Sequence, residues 1–332
     1  MNYWRHLTLV LSLTALPVCA ADQLTDLLKQ ANTALQQGQY YLALTDLNTA
    51  LPLAETDTQH IQTLGLLGLT HYRMHHYPQA EALLQEAINT GQGEAQDRAR
   101  WHIALAALKT NQDQPDQAKR LYTAALKLAG NNPELQISIQ LGQVQLLPNN
   151  LRFAALQKIA PQISIVTPPE ARIPHLLNIA AFVRKLDKNT DQQHHKTHLK
   201  LAYASLEQAK ALSNAQHPRH WAEILDGLAQ LYEEENRLDE ALYLNGQALQ
   251  AAKSVQADDL LLDLEWRQGR LCRAKQQLPA AMAAYQRAVD HIEAIRQDIP
   301  VEYHDGSSSF RETLEPVYLG LADLLLLGAC RT

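Results

Sequence analysis

Several residue types are scarce in this chain, and each scarcity excludes a class of protein. Three cysteines in 332 residues cannot build a disulfide framework. Thirteen glycines and fourteen prolines are too few for a collagen-like or low-complexity chain. Aromatic residues make up only 6% of the sequence, and runs of β-branched residues are few. The composition therefore favours a helical globular protein over a β-sheet protein.

The chain also lacks a large excess of basic over acidic residues, or of acidic over basic ones. The chain has 29 basic and 35 acidic residues, which gives a formal net charge of -6. A general nucleic-acid binder would need a basic surface, so that class is not expected. The mean hydropathy of -0.28 excludes a protein with many membrane spans.

Motifs for catalysis and phosphate binding are absent from the sequence. The patterns GxxxxGK[ST], GxGxxG and GxSxG do not occur. Ser307–Ser309 lie close to His304, but a helix-capping turn explains these serines without any chemistry. The sequence therefore assigns no catalytic or cofactor-binding residue, and we do not expect an enzyme.

Two groups of histidines have spacings that metal sites also use. They are His194, His195 and His198, and His71, His75 and His76. A spacing of four places two imidazoles on one helix face. Neither group has a carboxylate or thiol nearby in the sequence to complete a site. We expect solvated side chains and no metal, with a zinc or copper site as the alternative.

Residues 1–20 have the pattern of a secretory signal peptide. Arg5 precedes the apolar stretch Leu7–Leu16, and Val18-Cys19-Ala20 supplies small residues for cleavage after Ala20. Ten apolar residues are too few for a permanent membrane anchor, which needs about 20. The sequence predicts a periplasmic or secreted protein without a transmembrane span in its mature form.

Two alternatives for this segment stay open. It could be a buried first helix, or a lipoprotein signal with Cys19 as the lipidated residue, although Val18 occupies a position where such signals carry Gly, Ala or Ser. After cleavage the chain would keep two cysteines. Cys272 falls in the apolar register of a helix, which indicates a core residue, and Cys330 is the candidate reactive thiol.

The main feature of the sequence is a recurring helical pattern. An alanine is followed four residues later by a large residue and seven residues later by another alanine. The six copies are Ala43-Leu47-Ala50, Ala80-Leu84-Ala87, Ala118-Tyr122-Ala125, Ala202-Leu206-Ala209, Ala241-Asn245-Ala248 and Ala281-Tyr285-Ala288. Neighbouring copies without a gap are 37 to 40 residues apart. Such a period indicates a repeat protein, in which each unit needs its neighbours to cover its apolar face.

Another helix, which is the first helix of each pair and has its own small residue, precedes most of these copies. The small residues are Ala31, Gly68, Ala106, Ala229 and Gly269. The turn Gln37-Gly38-Gln39-Tyr40, the run Leu66–Leu69 and the paired alanines resemble the tetratricopeptide repeat (TPR), a helix-turn-helix unit with a period near 34 residues. This resemblance implies an all-α, right-handed superhelix of about seven hairpins over residues 21–296, with Pro133–Pro161 as a degenerate repeat. A plain antiparallel helix bundle is the alternative.

Residues 297–332 differ from the repeats. Ser309 and Glu312 form a capping box. A helix follows, with Pro316 in its first turn and one apolar face formed by Leu314, Val317, Tyr318, Leu321, Leu324 and Leu325. The segment resembles the linker that precedes the caspase-like CHAT domain in bacterial repeat proteins. The matching residues are Arg296, Ile299-Pro300, Ser308–Arg311, Pro316–Tyr318 and Leu321–Leu325. No residue matches the His and Cys of that peptidase module.

The candidate ligand-binding residues all lie on first helices of hairpins, which line the concave side of a TPR superhelix. They are the polar residues Glu223, Asp226, Gln230, Glu233 and Glu234, the cations Arg73, Arg100, Arg270 and Arg273, and the apolar Tyr72, Ile103 and Trp266. In a groove the charges would set the register of a peptide, and the apolar side chains would supply contact area. A solvated charged face is the alternative.

Two functions of different classes follow from these patterns. The first is a non-catalytic scaffold, exported to the cell envelope, that binds a protein or peptide in its groove. The resemblance to CHAT-associated proteins suggests an envelope or secretion component as the partner. The alternative is the regulatory arm of a CHAT-type peptidase whose catalytic module is missing or separately encoded.

Overall fold

The computed structural model describes residues 20–187, 192–213, 217–295 and 314–329. These ranges contain fifteen α-helices and no strand. The predicted signal peptide before Ala20, the capping box at Ser309, and Cys330 lie outside the described residues. The helices are α1 (Ala20–Gln36), α2 (Tyr40–Ala50), α3 (Asp57–Arg73), α4 (Tyr77–Asn89), α5 (Ala95–Asn111), α6 (Pro115–Ala129), α7 (Pro133–Val144), α8 (Asn149–Ile159), α9 (Ile173–Asp187), α10 (Gln192–Leu212), α11 (Pro218–Glu234), α12 (Leu238–Ser254), α13 (Asp258–Ala274), α14 (Leu278–Ile295) and α15 (Glu315–Ala329).

Consecutive helices form seven hairpins, from α1/α2 to α13/α14, and each hairpin packs on the next. This arrangement is a TPR-like solenoid, so the predicted all-α solenoid of about seven hairpins is confirmed. The fourth hairpin, α7/α8, has the short helices expected of a degenerate repeat. A 3₁₀ segment, Ala160–Ile165, follows it, and a second one, Pro169–Arg172, precedes α9.

The recurring alanines are the contact points between helices. Ala43, Leu47 and Ala50 are all fully buried, and the corresponding residues of the later hairpins are buried as well. A Cβ atom built on Gly68 of α3 would lie 2.8 Å from the side chain of Leu84 on α4. The small residue of each first helix is therefore needed because the large residue of the second helix occupies the space beside it.

Five of the six hairpin turns that the structure describes have the same conformation. The second residue after the first helix is left-handed, and the N–H of the following residue donates to the carbonyl five residues earlier, as Gln39 does to Ala34 at 2.8 Å and His76 does to His71 at 2.9 Å. This is the bond pattern of a Schellman cap. The left-handed residues are Gly38, His75, Asp113, Asn236 and Gln276, with φ between 54° and 74°.

Helix α15 covers the end of the solenoid. Its buried residues Val317, Leu321 and Leu324, together with the preceding Leu314, share a core with Tyr285 and Ile292 of α14. The expectation that Leu325 belongs to this face is wrong, because Leu325 is 53% exposed. One residue is about 100° of helical rotation, which carries Leu325 away from the face of Leu324. Within the described ranges, no helix has the length and apolar character needed to cross a bilayer.

Candidate functional site

The hairpins surround a central cavity of about 1470 Å³. Most of its lining comes from the first helices of six hairpins: α1, α3, α5, α7, α9 and α11. The second helices lie mainly outside them, because the alanine pattern packs each second helix against the back of its partner. We call this space the central cavity.

Eight of the twelve predicted binding residues line the central cavity. They are Tyr72, Arg73, Arg100, Ile103, Glu223, Asp226, Gln230 and Glu234. Glu233, Trp266, Arg270 and Arg273 are not among its lining residues. Arg270 lies 4.6 Å over the ring of Trp266 and pairs with Glu233 at 3.1 Å. Arg273 faces Asp323 of α15 at 3.4 Å.

Most charges of the predicted site are paired between neighbouring hairpins. Arg267 of α13 is buried and pairs with both Asp226 and Glu233 of α11. Arg184 of α9 contacts Glu234 at 2.6 Å. Arg267 and Arg184 are not among the binding residues predicted from the sequence. Both belong to first helices, and that position is the only signal that could have indicated them. These charges neutralise one another and tie the hairpins together, so they offer little net charge to a ligand.

The remaining lining combines apolar and uncharged polar side chains. Leu66, Leu69 and Tyr72 of α3 continue into Ile103 of α5. On the far side, α9 contributes Leu177 and Phe182. An apolar wall interrupted by amide and hydroxyl groups is the usual lining of a site that binds organic ligands or peptide side chains.

Arg73 differs from the other arginines of the predicted site, although Glu134, Glu170 and Lys185 also line the cavity without an ion pair among the described residues. It lines the central cavity, is exposed, and forms no ion pair within 4 Å among the described residues. Burial, together with the charge of Arg73, lowers the pKa of His175 to about 4. Burial also lowers the pKa of His220 to about 4, helped by His217, Arg73 and Arg219. Both imidazoles are therefore neutral at pH 7, and Arg73 supplies the positive charge at this position.

The central cavity is closed at one place by a contact between distant hairpins. The guanidinium of Arg219, at the start of α11, lies 4.3 Å from the centroid of the Tyr40 ring. The same guanidinium bonds Glu223 at 3.2 Å and Asp259 of α13 at 3.0 Å. The sequence does not predict this contact, because a repeat pattern describes how neighbouring hairpins pack and not how the first hairpin meets the sixth.

The two histidine groups form different structures. His198 is buried and packs on Phe153 with ring centroids 4.1 Å apart. The Nδ1 atoms of His71 and His76 lie 3.2 Å apart. Within the described part of the chain, no three His, Cys, Asp or Glu side chains converge as metal ligands would.

The stacked hairpins and the cavity along their first helices define a solenoid-type helical-repeat protein. Residues 24–91, which cover the first two hairpins, match the tetratricopeptide repeat family. These two hairpins therefore resemble tetratricopeptide repeats in sequence as well as in structure. No curated protein matches the sequence.

The chain is similar to several solved structures at low sequence identity. The APC/C hetero-tetramer Cut9-Hcn1 has a chain with 14% identity and a TM-score of 0.50; the match covers 90% of the present chain and 55% of that one. The present chain thus spans about half the length of that chain. A tetratricopeptide repeat protein from Parabacteroides merdae ATCC 43184 shares 14% identity with a TM-score of 0.41, over 91% of this chain and 99% of the other. The TPR2AB domain of yeast Sti1, in complex with a pHSP90, shares 12% identity with a TM-score of 0.31, over 91% and 99%.

Proposed function

We propose that the protein is a non-catalytic scaffold that binds a polypeptide segment in the central cavity. One observation carries the proposal: a large cavity runs along the first helices, with apolar stretches on α3, α5 and α9, and six of its ten charged lining residues are already paired. Tetratricopeptide repeats are a fold whose members bind protein or peptide partners, which supports the same function.

The size of the central cavity favours a peptide over a small molecule. Pockets for drug-sized ligands have volumes of about 300–1,000 Å³. The present cavity, at about 1470 Å³, is larger than that range and extends along six hairpins. An extended or helical segment with several apolar side chains would contact the walls of Leu66, Ile103 and Phe182 in succession.

The charge of the preferred segment follows from Arg73. Among the described residues, Arg73 is the arginine of the predicted site without an ion pair, so an acidic group on the ligand would complete it. We therefore propose a mainly apolar segment with an acidic group placed near Arg73.

A display selection with random peptides tests this proposal. Peptides enriched on the wild-type protein should lose at least about tenfold in affinity on the Ile103→Glu variant, because a carboxylate replaces an apolar contact in the cavity wall. The Leu126→Glu variant is the matched control, since Leu126 is exposed on α6 and does not line the cavity. Equal binding by both folded variants, or no enriched peptide at all, would contradict the proposal.

We further propose that the scaffold is exported to the cell envelope. The support is the sequence of residues 1–20. Chemical sequencing of the native protein from the periplasmic fraction should give Ala21 as the first residue. An intact Met1 in the cytoplasmic fraction would overturn export. The alternative function, a regulatory arm of a CHAT-type peptidase, rests only on the resemblance of residues 296–325 and stays a prediction.

A further inference from the structure

The first and the sixth hairpin touch across the central cavity at one point. A Cβ atom placed on Gly38 would lie 2.6 Å from Cδ of Arg219. The backbone of the α1/α2 turn therefore lies directly against the stem of that arginine. Tyr40 lies two residues after Gly38 and begins α2. The guanidinium of Arg219 lies over its ring, 4.3 Å from the ring centroid.

Arg219 is held in place from its own side of the contact. It is 4% exposed, and its guanidinium is shared between Glu223 of α11 and Asp259 of α13. These two ion pairs fix the side chain before it meets Tyr40. An arginine with its charge balanced in this way stacks well on an aromatic ring.

The contact lies outside the apolar cores, with His75 of the second hairpin close enough to interact with Arg219 and Asp259. The apolar core of the first two hairpins and the apolar core around α11 and α13 are separate, and none of the buried clusters in the described ranges contains residues of both. The other links of the solenoid run from one hairpin to the next through extensive cores. This one polar contact could break without disturbing those cores.

We infer that Arg219 and Tyr40 form a latch that closes the solenoid into a ring around the central cavity, and that opening of the latch admits the bound polypeptide. The second half of this inference rests on the proposed function, and the first half does not. A segment flanked by folded domains cannot thread through a closed ring, so its association rate depends on the fraction of open molecules.

Pulsed electron–electron resonance between two spin labels tests the closure without any ligand. The labels are placed on exposed residues of α2 and α12 by Leu42→Cys and Tyr243→Cys, with Cys19 and Cys330 replaced by serine and the buried Cys272 retained. The protein with an intact latch should give one narrow distance distribution. Tyr40→Leu and Arg219→Met should give a longer and broader one.

The control variant is Tyr232→Leu. Arg237 lies 4.4 Å over the ring of Tyr232, so this variant removes the same kind of contact within the sixth hairpin. This variant should keep the narrow distribution. If folded Tyr40→Leu and Arg219→Met proteins also keep it, the latch is refuted, whatever the protein binds.

The gating half is tested with a selected peptide flanked on both sides by folded domains. Its association rate should rise about tenfold in Tyr40→Leu and stay unchanged in Tyr232→Leu. The same peptide with free ends should change much less. If the flanked peptide associates equally fast with all three proteins, the contact closes a ring but does not control access. Failure of every peptide to bind would instead refute the proposed function and leave the distance measurement standing.

Discussion

Gly269 of α13 faces the ring of Tyr285 on α14 so closely that a Cβ atom at Gly269 would lie 2.5 Å from Cδ2 of that ring. Gly320 of α15 also contacts this ring, because a Cβ atom at Gly320 would lie 2.4 Å from Cε1 of Tyr285. The tyrosine is thus enclosed between two glycines. The seventh hairpin and the terminal helix depend on this one side chain for their spacing.

We expect Gly269→Ala to lower the free energy of unfolding by about 1–3 kcal/mol, because the added methyl overpacks the contact with Tyr285. Gly246→Ala is the matched control. Gly246 also lies inside a helix, but nothing is within 4 Å of its Cβ position, so alanine there should add about 0.5–1 kcal/mol through helix propensity. Urea denaturation of both variants checks the prediction. A neutral Gly269→Ala would show that the hairpin adjusts freely.

Asn245 occupies the position where the other five copies of the repeat pattern carry leucine or tyrosine. It is fully buried, and its Nδ2 donates to the carbonyl oxygen of Leu264 at 3.0 Å and to Gln268 at 2.9 Å, while its Oδ1 has no partner in the part of the chain that the structure describes. We expect Asn245→Leu to raise stability by about 1 kcal/mol, because it removes a buried unsatisfied oxygen and Gln268 can turn to water. Thermal unfolding measures the change. A loss of similar size would mean that the two donated hydrogen bonds outweigh the unsatisfied oxygen.

Helix α15 gives a direct test of its role as a cap. Leu321→Asp places a charge in the core shared with Tyr285, so we expect the C-terminal hairpin to lose about 2–4 kcal/mol of stability. Leu326→Asp should have almost no effect, since Leu326 is 67% exposed on the same helix. Hydrogen exchange in α13 and α14 reads out the difference. Unchanged protection in the Leu321 variant would count against capping.

The neutral histidines near Arg73 predict an acid-sensitive fold. Because the folded-state pKa values of His175 and His220 lie near 4, below the ordinary 6.5, their contribution is complete above pH 6.5 and is lost as the pH falls towards 4. Between pH 6.5 and 5 each contributes a loss of at most about 2 kcal/mol. The variants His175→Gln and His220→Gln should therefore show a shallower fall of stability with pH than the wild type.

Other groups around these histidines also titrate, so the comparison must be between variants. His75 acts in the same direction, since burial lowers its pKa. Burial raises the pKa of Glu223, and desolvation with the nearby Asp259 raises that of Asp263 to about 6, so these carboxyls oppose the loss. The other facing groups are Tyr40, Arg73, His217 and Arg219. All of them are common to wild type and variants, so parallel pH profiles would contradict the assignment to His175 and His220.

Much of the fold follows from the sequence because its determinants are local and repeated. The alanine positions, the turn residues and the helix pairs are set within one hairpin. The first-helix position of Tyr72, Ile103 and Glu223 then places them in the cavity wall without knowledge of the whole structure. The prediction that Leu325 lies on the buried face was wrong, because Leu324 and Leu325 are adjacent and cannot both point to one narrow helix face.

The pairing of the charges could not be predicted in the same way. Which arginine meets Asp226 depends on the register between two hairpins, and several arginines of α13 have similar positions along their helix. The contact of Arg219 with Tyr40 is still less local. It depends on small rotations at every hairpin interface between the first and the sixth, and no sequence motif encodes their sum.

The Tyr40–Arg219 contact is therefore sensitive to the geometry of every hairpin interface between the two residues. Two ends of a curved stack meet only when every joint between them bends by the right amount, so their meeting reports on the whole stack at once. An inserted residue or a repacked joint anywhere between α2 and α11 would shift one end past the other, even with both side chains intact. Distant substitutions could thus alter how the protein receives its ligand while leaving the walls of the cavity unchanged.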